Sequence, residues 1–176
     1  MELTLAGYFP KVTAVPADWP LPAHLTEICS VSNCGNRAPD RWVELWLHNV
    51  HWFFDSPGDA RLGIGDDPRA FEIFAYRLAP LRFVEGRTEP WPVERVTVEP
   101  LPADFQALGF DAVSASHGVQ FECSPLSCNR MAAEIPVNRY CLVDTLEDAI
   151  AAAVRFSTGQ AEPGPYHVLE VLRGKG

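Results

Sequence analysis

Four of the chain's five cysteines fall into two matching hexapeptides, and these are the residues whose types and spacing best suit chemistry. Residues 29–34 read Cys-Ser-Val-Ser-Asn-Cys and residues 123–128 read Cys-Ser-Pro-Leu-Ser-Cys, with Asn36-Arg37 and Asn129-Arg130 close behind. Thiolates from Cys29, Cys34, Cys123 and Cys128 would complete a tetrahedral zinc site joining two distant loops. The spacing is wider than the usual Cys-x-x-Cys knuckle. A second chemistry is nucleophilic. Ser124 is a good helix cap and Pro125 a good first helical residue, so Cys123 or Cys128 would feel the dipole of a helix N-terminus that stabilises a thiolate. His117, six residues before Cys123 across a turn containing Gly118, would then be its base. A third reading involves no reactivity. Cys123 precedes the cap and Cys128 is the fourth helical residue, positions that meet in a hydrophobic staple, and Cys29 and Cys34 stand in the same relation around Ser30.

Other groups are weaker candidates. Glu44, His48, His51 and Asp55 fall on one face if residues 40–54 are helical. All four can ligate a divalent metal, although successive ligands climb the helix axis and His24 or His117 would have to close the site. The alternative is the wet side of an amphipathic helix. Trp19 and Trp91 sit in proline-flanked loops, and Ser114 and Ser116 lie beside His117 at a strand end; together they form a candidate ligand-binding set. There is no phosphate-binding loop, dinucleotide fingerprint, nucleophile elbow or calcium loop.

Positioning these residues requires a packed core, and 176 residues of which 47% are hydrophobic can bury one. Asp40 caps an expected helix to about residue 54, and Asp144 or Thr145 caps another through residue 156. A shorter helix is expected at 57–62, and a helical turn at 104–108 closed by Gly109. Strands are expected near residues 3–9, 71–78, 95–98, 110–114, 140–143 and 166–172. Helices and strands do not alternate regularly, and no linker divides the chain. The expectation is therefore one α+β domain over residues 1–176, its mixed or mostly antiparallel sheet packed by the two main helices.

The formal net charge of −9 disfavours phosphate backbones and anionic lipid surfaces, so neither nucleic acid nor membrane is an expected partner. The first residues lack the basic and apolar regions of a secretion signal, and an odd number of cysteines suits reduced thiols, which together point to the cytoplasm. The leading functional expectation is a non-catalytic binding module for a protein partner or small ligand, without a cofactor unless zinc occupies the cysteines. The cysteine-dependent enzyme and the structural zinc protein are the alternatives.

Overall fold

The run Glu-Ile-Phe-Ala-Tyr-Arg-Leu-Ala-Pro-Leu-Arg-Phe-Val is dense in aromatic and apolar residues, as suits a strand covered on both faces. In the computed structural model, which describes residues 1–32, 34, 37–41, 47–115, 121 and 123–175, it forms the long inner strand β2 (Glu72–Val84). The other elements, in chain order, are β1 (Thr4–Lys11), α1 (Pro57–Ile64), β3 (Arg87–Pro90), β4 (Phe105–Ser114), α2 (Pro125–Cys128), α3 (Leu146–Arg155) and β5 (Tyr166–Gly174). The sheet runs β1-β2-β5-β4, β3 folds back on the end of β2, and every pairing is antiparallel. The α+β class and the single sheet with two main helices are as expected. No helix among the described residues is long and apolar enough to cross a membrane.

The two halves of the chain repeat one another. Each runs outer strand, Cys-Ser-x-x-x-Cys, asparagine turn, capped helix, inner strand. β1 shifts register between Leu5 and Gly7, and β4 between Ala107 and Gly109. The two glycines have φ of 141° and 143°, a region L side chains avoid. A Cβ on Gly7 would stand 2.7 Å from the Phe54 carbonyl oxygen, and one on Gly109 would stand 2.6 Å from that of Val143. These close approaches dock the asparagine turns. Asn49 Nδ2 donates to the Ala6 carbonyl at 2.8 Å and to Asp55 Oδ1 at 3.0 Å; Asn138 Nδ2 donates to the Leu108 carbonyl at 2.8 Å and to Asp144 Oδ1 at 3.0 Å. Each Oδ1 accepts two backbone N–H groups, from His51 and Phe53 in one half and from Tyr140 and Leu142 in the other. Phe54 exchanges both backbone hydrogen bonds with Tyr8, and Val143 does so with Phe110. The inner strands pair about Tyr76 and Val171, which occupy equivalent places in the two halves. The sheet thus has an approximate two-fold axis at that pair.

The asparagine turn also corrects the helix expected at 40–54. Residues 42–46 lie outside the described residues, but over 47–54 the backbone forms turns and single bridges. Asn49 captures two N–H groups that a helix would use, and Trp52 has a φ of 63°. The first main helix is α1, where Ser56 accepts from the Asp59 N–H at 2.9 Å and Pro57 follows the cap. α3 stands where expected, with Thr145 accepting from Asp148 N–H at 3.1 Å. Phe105–Leu108 belongs to β4 rather than to a helical turn, and Gly109 serves its register shift.

The core forms two clusters. One gathers Tyr8, Phe9, Phe53, Phe54, Phe74 and Tyr76. The other joins Ala149, Ala152 and Ala153 of α3 to Leu126, Phe156, Tyr166 and Val168. Burial of these aromatic and aliphatic side chains is the main stabilising term.

Candidate metal centre

Two charged residues are buried on the sheet face that carries Phe9. Partners in register point to the same side, so Phe9, Phe74, Leu78, Leu169 and Asp111 share that face, and Lys11 follows Phe9 by two positions. Lys11 and Asp111 are both fully buried. Asp111 holds the place in the second half that Phe9 holds in the first, and Lys11 that of Val113. The equivalence of the halves therefore breaks at this point.

These two residues position both hexapeptides. Lys11 Nζ donates to the carbonyls of Ser30, at 2.7 Å, and Ser32. Asp111 Oδ2 accepts the Val31 N–H at 2.8 Å, and its Oδ1 accepts the Ser124 hydroxyl at 2.6 Å. The Ser30 and Ser127 hydroxyls hydrogen-bond at 2.8 Å between the loops. Arg37, also buried, donates to the carbonyls of Cys34, Ile28 and Ser32, and its guanidinium lies 5.4 Å from the centre of the Trp19 ring. α2 begins at Pro125 as expected, but Ser124 sends its hydroxyl to Asp111 instead of capping the helix.

The result is a meeting of three thiols. The sulfurs of Cys34, Cys123 and Cys128 all lie within 4.8 Å of one another. Zinc–sulfur bonds of about 2.3 Å place tetrahedral ligand sulfurs about 3.8 Å apart, so closing on an ion requires shifts of about 1 Å or less. Cys34 comes from the first hexapeptide and is exposed; Cys123, buried, and Cys128, half-buried, come from the second. Ser32 Oγ stands 2.8 Å from the Cys128 sulfur. The Cys34 thiol is drawn well below its ordinary range by hydrogen bonds to its sulfur from Cys123 and then Cys128. Cys123 is pushed up, first by Cys128 and then by Cys34. Cys128 also rises, the lowering contact with Cys123 being outweighed by Cys34 and burial. The three thiols titrate as one group, so one shared negative charge is favoured among them.

Charge around the trio suits an anionic cluster. Burial and then Arg37 push Lys11 well down, while Asp111 and the sulfurs of Cys128 and Cys29 favour its charged form. Burial raises Asp111 to about 6, against the lowering hydrogen bond from Ser124. A divalent ion on three thiolates carries one net negative charge. Together with Lys11, Arg37 and Asp111 in their charged forms, the buried set closes to neutrality.

Cys29 is not part of the trio. It is fully buried in the first core cluster, its N–H bonded to the Tyr140 carbonyl, and burial pushes its thiol up to about 12. None of the five cysteines is in a disulfide. His117 and Ser116 lie outside the described residues, as does Glu44. Ser114 is buried and donates to the Pro163 carbonyl. Trp19 covers Arg37, and Trp91 packs on His167 at 4.2 Å between ring centres. His51 is buried, its Nε2 2.8 Å from the Glu94 carbonyl oxygen, and His48 stacks on Trp52, so neither stands on a wet helical face with Asp55. Lys11, Arg37 and Asp111 were missed as site residues. The available signal was a charge inside an apolar run: Phe110-Asp111-Ala112-Val113, and a lysine closing β1. Compared with models of known families, with curated proteins and with solved structures, the chain matches none.

The histidine beneath Trp91 yields a pH prediction. His167 is 2% exposed, and its Nδ1 has no hydrogen-bond partner among the described residues. Burial pushes it from 6.5 down to about 4; a bond to the Leu81 backbone opposes this, and Arg82 and His51 add to it. The unfolded chain therefore binds more protons between those values, and stability falls as pH drops through the window. The loss reaches roughly 3 kcal/mol at the acid end. His167→Phe should flatten the stability difference between pH 7 and pH 4 by about that amount in denaturant melts. An unchanged difference would assign the acid sensitivity elsewhere.

Proposed function

We propose that this chain is a binding protein whose ligand is a thiophilic divalent cation, zinc foremost, held by Cys34, Cys123 and Cys128. The observation that carries the reading is the convergence of three sulfurs from hexapeptides about ninety residues apart. Thiolates select zinc over the hard cations that prefer oxygen ligands. The Arg37 guanidinium favours the thiolate form of Cys34, and a reducing cytoplasm would keep the thiols available to metal. The three thiols come from both halves of the fold, and this reading develops the zinc alternative raised by the paired cysteines rather than the binding module for a protein partner or small ligand.

The test is elemental analysis with native mass spectrometry on protein purified under reducing conditions without chelator or affinity metal. One equivalent of zinc per chain is the expected result. Protein that takes up no zinc, even from added micromolar zinc with all thiols reduced, would overturn the reading.

A further inference from the structure

A metal that supplies a domain's folding energy holds together loops that nothing else holds, and its removal unfolds the chain. Here the two hexapeptides are already joined. Asp111 grips both, through Val31 N–H and the Ser124 hydroxyl. Ser30 and Ser127 bond directly across the seam. Lys11 and Arg37 fasten the first hexapeptide through the carbonyls of Ser30, Ser32 and Cys34. These contacts bury polar groups with their partners made, the condition under which such a network rigidifies its surroundings. The three sulfurs also differ in access: Cys123 is buried and Cys128 half-buried, whereas Cys34 is exposed.

We propose that the centre is preformed and exchangeable: the polar network sets its geometry, and the ion passes in and out on the Cys34 side by exchange with a low-molecular-weight thiol. This rests on the metal reading above. In the outward step a metal–sulfur bond to the incoming thiol forms as the bond to Cys34 breaks. The proton of the incoming thiol passes to the Cys34 sulfur, so charge and protons balance. Cys123 and Cys128 keep hold of the ion until a second incoming ligand arrives.

The experiment uses the full-length chain loaded with one equivalent of zinc. Far- and near-ultraviolet circular dichroism and a thermal melt are recorded before and after removal of the ion by a chelator under reduction. Zinc transfer to a chromophoric chelator is then timed with increasing glutathione. The expected result is a stripped protein with native spectra and a cooperative melt, and a transfer rate that rises with glutathione concentration. Ser30→Ala, which removes one cross-loop bond without touching a ligand, should lower zinc affinity about tenfold with unchanged far-ultraviolet spectra. Stoichiometric zinc whose removal unfolds the chain would overturn the preformed centre while leaving the metal reading intact. A transfer rate indifferent to glutathione would overturn the exchange route. Failure to bind zinc at all would remove both readings.

Discussion

Cys34→Ser should lower zinc affinity on the order of a hundredfold or more, while Cys29→Ser should leave it within about threefold. The two residues close the same hexapeptide, so the pair separates ligation from any general effect of losing a thiol there. Cys34 lies with Cys123 and Cys128, whereas Cys29 is sealed in the core beneath the Tyr140 backbone. A serine hydroxyl is a poor replacement for a soft thiolate, and two remaining sulfurs give an incomplete site. Cys123→Ser and Cys128→Ser should match Cys34→Ser. Competition against a chromophoric zinc chelator reads all four variants. Equal damage from Cys29→Ser and Cys34→Ser would restore the four-thiol arrangement and remove the three-thiol one.

Asn49→Ala and Asn138→Ala should each destabilise the fold by about 3 kcal/mol, and by similar amounts. Each side chain joins an outer-strand carbonyl, the aspartate before a helix cap and two turn N–H groups. Truncation leaves several of those groups in poorly solvated places without partners, which costs more than the bonds themselves are worth. Urea melts followed by circular dichroism measure the effect. A loss at one asparagine with none at the other would mean that the repeated turns do not carry equal weight.

These asparagines also show where the sequence was readable. Asn49-Val-His-Trp-Phe-Phe-Asp-Ser and Asn138-Arg-Tyr-Cys-Leu-Val-Asp-Thr share Asn, Asp and Ser or Thr at the same spacing. The second copy's helix was legible because Thr145 is followed by acidic residues and an alanine-rich stripe. The first copy was obscured because its apolar residues fit a helical period, although Asn49 takes the backbone N–H groups for itself. Local pattern cannot register such a competition when the deciding carbonyl lies on a strand some forty residues away. The cysteine pairs were visible as pairs, but the fold divides them: equivalence between halves places Cys29 opposite Cys123, and only the latter reaches the cluster. Lys11 and Asp111 were hidden because burial of a charge depends on partners from other elements, here serines and backbone of both hexapeptides.

The single-rung bridges beyond the outer strands have a consequence for how the molecule meets copies of itself. Tyr8 is paired by Phe54 on one margin of the sheet; on the other, Phe110 is paired by Val143 and Ser114 by Cys123. An outer strand normally presents a row of open donors and acceptors, a template on which another chain can add. Here segments of the same chain occupy rungs on both margins, and the register shifts at Gly7 and Gly109 bend the strands beside them. At these rungs the donors and acceptors are already taken, so another strand cannot add to the sheet there.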